Sequence, residues 1–316
     1  MKKTILITGG TGLIGNGLQK YISKKYKGND TFIYLSSKEC DLRKPNDVRN
    51  IFIKYQPNYV IHLAANVGGL YLNMRCPVEL YRDNIIMNDN IMELCKEFKV
   101  EKLISCLSTC IFPDKTTYPI DETMIHSGPP HSSNEAYAYA KRMIDIMNRS
   151  YNKEYDCNFT SIIPTNIYGP HDNFNLENAH VIPSLIHKAY ISKRDNENFT
   201  ICGTGKPLRQ FIFNEDLAEL IIYVLYNYDS CEPIILSVDE EDEMTIKDIA
   251  FIIADAFEID KKRIIFDDTK SDGQYKKTAT NKKLRTLLPE YKFKSLNEGI
   301  HETCRWFQDN YNTCRK

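Results

Sequence analysis

The stretch Thr4-Ile5-Leu6-Ile7-Thr8-Gly9-Gly10-Thr11-Gly12-Leu13-Ile14-Gly15 decides the fold. A short apolar run enters a glycine cluster, and a helix-like segment over residues 13–26 leaves it. Glycines at 9, 12 and 15 let the backbone turn sharply and approach a pyrophosphate closely. The helix that follows offers free N–H groups and the positive end of its dipole to that charge. In this strand–turn–helix setting, Gly9, Thr11, Gly12, Leu13, Ile14 and Gly15 are expected to cradle a dinucleotide.

Outward from that turn, strand-like and helix-like segments alternate. Strands are expected over residues 31–35, 59–63, 102–107 and 159–163, and helices over 46–55, 78–98 and 133–155. Such β–α alternation predicts an α/β fold, a Rossmann-type doubly wound parallel sheet with helices on both faces. Past about Pro164 the pattern becomes irregular, and only 217–226 and 245–257 still read as helices. The expected organisation is a dinucleotide-binding Rossmann domain over residues 1–165. A smaller C-terminal α/β substrate lobe follows over 166–316, with room for segments that return to the main sheet.

The second expected strand ends Leu35-Ser36-Ser37-Lys38, without the acid that an NAD site places near the adenosine ribose. Hydroxyls and an ammonium at Ser36 and Lys38 suit a 2′-phosphate, so NADPH is expected over NADH. Asp41 and Leu42, a few residues on, are expected near the adenine.

With 316 residues and 42% apolar content, the chain has enough material for a substantial core. A net charge of −1 with mixed signs gives no basic face for nucleic acid, and the run Lys261-Lys262-Arg263 reads as solvated surface. Ten cysteines form no C-x-x-C pair and no zinc spacing with histidines, so no metal site is expected. Scattered thiols suit a cytoplasmic location. No run is long enough to span a membrane, and the N-terminal apolar run is too short for a signal peptide.

Tyr137-Ala138-Tyr139-Ala140-Lys141 carries a Y-x-x-x-K spacing, which puts Tyr137 and Lys141 on one face of a helix. A nearby ammonium favours the phenolate and is expected to lower the Tyr137 pKa, giving a proton donor for a carbonyl under reduction. Lys141 also suits a nicotinamide ribose, and Tyr139 is expected to pack. Ser108 follows the fourth strand, at the carboxyl end where open α/β sheets bind ligands. It is expected to hydrogen-bond the same substrate oxygen as Tyr137.

Glycine turn, serine and Y-x-x-x-K, in this order and at these separations, resemble the extended short-chain dehydrogenase/reductase family. Longer strings resemble its GDP-L-fucose synthases: Ser105–Pro113, Pro164–Phe174, His180–Pro183, Gly203-Thr204-Gly205 with Arg209-Gln210-Phe211, and Ser271-Asp272-Gly273. That resemblance implies C3 and C5 epimerisation of GDP-4-keto-6-deoxy-D-mannose, then NADPH-dependent reduction at C4. It also implies Cys110 as base and His180 as acid, with Pro164, Asn166, Ile167, Lys141 and His180 lining the cofactor. Asn166, Lys188, Cys202, Arg209 and Asp272 would contact the GDP-sugar. A homodimer is implied, with residues 78–98 and 133–155 of two copies forming a four-helix bundle.

Two departures bear on the substrate. Cys202 stands where these synthases commonly carry tryptophan, and Glu135-Ala136 precedes Tyr137 atypically. They leave room for a C4 reductase of another GDP-4-keto sugar, such as a heptose. A second alternative is an NAD-dependent sugar-nucleotide epimerase or dehydratase. Dehydratases usually carry an acidic pair soon after the serine, and Thr109-Cys110-Ile111-Phe112 has none. A non-catalytic NADPH-binding regulator would tend to lose the tyrosine or the lysine, and both are present.

Overall fold

The computed structural model describes residues 2–316. Its first half runs β1 (Thr4–Thr8), α1 (Leu13–Lys25), β2 (Thr31–Leu35), α2 (Pro45–Tyr55), β3 (Tyr59–His62), α3 (Leu70–Arg75), α4 (Pro77–Glu97), β4 (Lys102–Cys106), α5 (Glu135–Tyr155) and β5 (Phe159–Pro164). The second half runs β6 (Asn166–Tyr168), α6 (Val181–Asp195), β7 (Phe199–Cys202), β8 (Leu208–Arg209), β9 (Phe211–Phe213), α7 (Asn214–Asn227), β10 (Ile234–Leu236), β11 (Met244–Thr245), α8 (Ile246–Ala256), β12 (Ile264–Asp267), α9 (Lys282–Leu287) and α10 (Leu296–Asp309).

Six strands form one parallel sheet in the order β2-β1-β3-β4-β5-β10. Every residue of β4 and β5 is buried, as expected of parallel strands covered on both faces. Val48, Phe52, Ile91 and Ile144, from α2, α4 and α5, pack one face. Leu18, Leu217, Ile221 and Leu225, from α1 and α7, pack the other. Strand order reverses between β1 and β3, which opens a crevice beyond their carboxyl ends.

A further core gathers α6, α8 and α10 around the parallel pair β7–β12, with Phe174, Leu185, Phe199, Ile253 and Phe307 at its centre. Two of its helices, α6 and α10, are absent from the sequence reading. Pro183 lies in the first turn of α6, where backbone N–H groups have no intrahelical partner, so it does not break the helix. Ser295 caps α10 by accepting from Glu298 N at 3.3 Å and donating to the Glu298 carboxylate at 2.8 Å. Helix α5 begins at Glu135 rather than 133, because residues Ser132–Asn134 form a 3₁₀ turn held by Ser133 N on His131 Nδ1. Among the described residues, no helix is long and apolar enough to cross a membrane.

Lys102 shows how the sheet holds α7. Its side chain is buried, and Nζ donates to the Val224, Leu225 and Tyr228 carbonyls at the end of α7. The cation thus meets the negative end of the helix dipole. Lys102→Met should strand those carbonyls without a donor and lower the unfolding free energy by about 2–4 kcal/mol. Denaturant titration measures this, and a change below about 0.5 kcal/mol would mean that the contacts contribute nothing net.

Candidate active site

The crevice continues into a cleft of about 930 Å³ that runs from the glycine turn to the loop after β12. At one end, Gly9 adopts φ +68°, and a Cβ there would stand 2.9 Å from Ala64 N. Gly15 is packed so closely on the turn that a Cβ would collide with the Gly10 carbonyl. Gly12 caps α1 without any side-chain hydrogen bond. Thr11, Gly12, Leu13 and Ile14 line the cleft, whereas Gly15 shapes the turn from behind.

At the β2 end, Ser36, Asp41 and Leu42 line the wall and Lys38 does not. Ser36 N and Oγ both donate to the Glu39 carboxylate, while Glu39 N and Cys40 N return to the Ser36 carbonyl. This tight turn leaves Lys38 exposed. The wall cation here is Arg43, held by Asp41 at 2.9 Å and Asp83 at 3.2 Å. Its sequence signal was a base two residues past Asp41, in a loop whose path only the fold reveals.

Ser108, Cys110, Tyr137, Lys141 and His180 all line this cleft, as do Pro164, Asn166 and Ile167. Ser108 caps the short turn Thr109–Ile111, with Cys110 N donating to Ser108 Oγ at 3.4 Å. Lys141 Nζ donates to the Cys106 carbonyl at 2.9 Å. Burial raises the Tyr137 pKa well above its ordinary value, with neighbouring Cys110 and Cys106 adding to the shift. Charge from Lys141 was expected to lower the Tyr137 pKa. Instead desolvation dominates, and Tyr137 is held as a neutral phenol, the form that gives a proton. Burial likewise lowers the Lys141 pKa.

Burial also raises the Cys110 pKa, against Lys277, the Ser108 hydroxyl and Lys141, which lower it. Lys277 lines the cleft and escaped the sequence reading, although it follows the Ser271-Asp272-Gly273 string by four residues. His180 lines the cleft and its side chain is solvent-exposed there, while the surrounding cleft walls desolvate it enough to lower its pKa. Its protonated form is therefore scarcer and a stronger acid. Among the described residues, four polar atoms of cleft-lining side chains are buried without a partner: Asn73 Oδ1, Asn134 Oδ1, Thr165 Oγ1 and Asp172 Oδ2.

A hydrogen-bonded chain ties the glycine turn to α5. Ala64 N donates to Thr8 Oγ1 at 3.2 Å, so the Thr8 hydroxyl proton is free for His62 Nδ1 at 2.7 Å. His62 Nε2 then donates to Asn88 Oδ1 at 3.0 Å, and Asn88 Nδ2 reaches the Ala140 carbonyl at 3.5 Å. Burial pushes the His62 pKa down to about 3, so one neutral tautomer serves the whole chain.

At the far end, Arg209 and Asp272 line the cleft, but each is already engaged. Arg209 donates to the carbonyls of Leu208, Gln274 and Tyr275. Asp272 accepts from Thr204 N and Oγ1, both at 2.7 Å. Lys188 and Cys202 lie outside the wall, with Lys188 Nζ 3.3 Å from Cys202 Sγ. Glu135 is exposed in the first turn of α5, away from the cleft, and is not among the groups that shift Tyr137.

Asp172 yields a test of the site's electrostatics. Its carboxyl is 4% exposed and burial pushes its pKa up to about 7, against Asn173 N and Arg315. An unfolded aspartate titrates near about 3.9, so between that value and about 7 the folded chain keeps a proton that the unfolded chain releases. Stability from this group is full at low pH and is lost as pH rises to about 7. Asp172→Asn should therefore gain on the natural chain by up to about 4 kcal/mol across that window, then stay level. Unfolding curves of both proteins against pH provide the check, and a constant difference would contradict a raised pKa.

Comparison with known proteins gives consistent matches. Residues 5–238 match the model of the NAD dependent epimerase/dehydratase family. The GDP-L-fucose synthase of Dictyostelium discoideum is 58% identical over 315 residues, covering 100% of this chain and 98% of that protein. A probable GDP-L-fucose synthase of Drosophila melanogaster is 48% identical, covering 99% of this chain and 100% of its own length. The crystal structure of a GDP-L-fucose synthetase from Naegleria fowleri bound to NADP superposes with a TM-score of 0.95 at 48% identity, covering 99% of this chain and 95% of that one.

Proposed function

The chain belongs to the NAD dependent epimerase/dehydratase family, and we propose that it converts GDP-4-keto-6-deoxy-D-mannose to GDP-L-fucose, epimerising C3 and C5 and reducing C4 with NADPH. The observation that carries this reading is the convergence of Ser108, Cys110, Tyr137, Lys141 and His180 on a cleft that begins at the glycine turn.

The residues present fit the dinucleotide. The turn leaves no space for a Cβ at Gly9 or Gly15, and the first turn of α1 has no side-chain cap. In this reading Thr11 to Ile14 face the pyrophosphate, Ser36 and Arg43 the adenosine phosphate, and Asp41 with Leu42 the adenine. Lys141, Pro164, Asn166, Ile167 and His180 flank the nicotinamide end. When bound, NADPH supplies the hydride delivered to C4.

The 4-keto group acidifies the protons on C3 and C5. Cys110 as thiolate removes each in turn, and His180 as imidazolium returns a proton on the opposite face. Ser108 and Tyr137 hydrogen-bond the C4 oxygen, which stabilises the enolate and then receives the Tyr137 proton during reduction. Arg209, Asp272 and Lys277 bind the GDP moiety and the diphosphate. Lys188 and Cys202 lie outside the wall and would meet only a substrate that extends beyond it. Residues 1–165 act as the cofactor domain and 166–316 mainly as the substrate lobe, with α7 and β10 built into the first.

The assembly we propose is a homodimer. Val78 and Tyr81 on α4 and Ile146 on α5 are 68%, 42% and 39% exposed, and a second copy would cover them. Light scattering should give twice the chain mass, and Ile146→Glu should shift it towards monomer. A monomer at every concentration would exclude this assembly.

The decisive assay is turnover of GDP-4-keto-6-deoxy-D-mannose with NADPH in heavy water, read by NMR. GDP-L-fucose deuterated at C3 and C5 is expected. An unepimerised product would leave a C4 reductase and remove the roles of Cys110 and His180. Cys110→Ala should abolish ring-proton exchange. Tyr137→Phe should cut C4 reduction by about 10²–10⁴-fold while exchange persists.

A further inference from the structure

Arg142 follows Lys141 in α5, is 4% exposed and lies outside the wall of the cleft. Its Nε donates to the Ile111 carbonyl at 2.9 Å, Nη2 donates to the same oxygen, and Nη1 donates to the Gly128 carbonyl at 2.8 Å. The guanidinium carbon lies 5.2 Å from the centre of the Tyr139 ring. These contacts satisfy donors but do not neutralise charge. Among the described residues no carboxylate pairs with Arg142, and the groups whose ionisation acts on it are Tyr139 and Cys110. A buried cation without an anion is costly, and an apolar side chain of similar length would avoid that cost.

Its placement answers a need of the chemistry. Ile111 follows Cys110 directly in the turn Thr109–Ile111, so fixing the Ile111 carbonyl fixes the backbone that aims the thiol. Cys110 is acted on by Lys277 from the segment after β12, by Ser108 from its own turn and by Lys141 from α5, and its own ionisation acts on Tyr137 and Arg142 of α5. Cys106 of β4 acts on Tyr137 and Lys141 alongside it. Lys141 and Lys277 line the cleft, where an anionic nucleotide draws on their charge. Arg142 is buried and does not line the cleft.

We propose that Arg142 is a positioning residue for Cys110: it clamps the Ser108–Ile111 turn onto α5 and sets behind the thiol a positive charge that bound anions do not reach. The inference rests on the reading of Cys110 as the base. By reciprocity, the charge that makes the thiolate easier to form is itself stabilised when the thiolate appears.

The test uses the whole chain and needs no sugar nucleotide. Alkylation of Cys110 by iodoacetamide is followed by mass spectrometry of its peptide over roughly pH 6.5–9.5, because the thiolate is the reacting species. Arg142→Gln removes the charge and keeps a donor, whereas Arg142→Lys keeps the charge and loses the fork. The glutamine variant should label about tenfold more slowly below the midpoint, with the midpoint raised by about one unit. The lysine variant should stay within about threefold of the natural chain. If the glutamine variant does not fold, Arg142→Met supplies the neutral state. Unchanged labelling in a folded neutral variant would overturn the proposal, as would a lysine variant slowed as much as the neutral one. Failure of the base assignment would appear elsewhere, as ring-proton exchange that survives Cys110→Ala.

Discussion

The Lys141 ammonium, 2% exposed, lies between α5 and the end of β4, where it donates to the Cys106 carbonyl. Removing a cation from water costs several kcal/mol, and a well-placed acceptor recovers part of that only while it stays in place. Helix α5 is therefore indexed to β4. Tyr137 lies one turn before the lysine, and Ser108 and Cys110 lie just past the strand. Their mutual positions follow from that bond, and β4 is itself fixed between β3 and β5. Two layers of the fold thus meet at a group that also faces the cleft.

The chain from Thr8 through His62 and Asn88 to the Ala140 carbonyl adds a second fixed relation. It begins at the last residue of β1, next to the glycine turn, and ends beside Lys141. A single tautomer of His62 satisfies it, and the low pKa of that ring keeps the tautomer across the working pH range. The cofactor end of the cleft and the reacting end are therefore held in register by the interior of the sheet. The loops need not supply that precision.

Features legible in the sequence were local and periodic. The glycine turn, the strand–helix alternation up to Pro164 and the i, i+4 pair Tyr137–Lys141 each depend on a few adjacent residues, and the six-stranded sheet follows their order. Features decided by side-chain direction or distant burial were not legible. Lys38 reads as a phosphate ligand until the Ser36–Glu39 turn leaves it exposed. Arg43 and Lys277 face the cleft only because segments far apart in sequence fold against it. The lowered pKa expected at Tyr137 followed from the lysine spacing alone and could not include the burial that raises it. Glu135 looked intrusive in the string, yet it belongs to the first turn of α5, where a carboxylate suits the helix dipole.

Strand β10 pairs in parallel with residues Ile162–Pro164 of β5, yet it is made only after β6–β9 and helices α6 and α7 have been synthesised. Until the ribosome has passed Leu236, β5 presents a bare parallel edge on a sheet that is otherwise ready to collapse. Translation order thus opposes the apparent modularity of the chain: the nascent first half is an aggregation hazard that the second half relieves. Lys102 binds the carbonyls at the end of α7, immediately before β10, and so locks that late arrival in place.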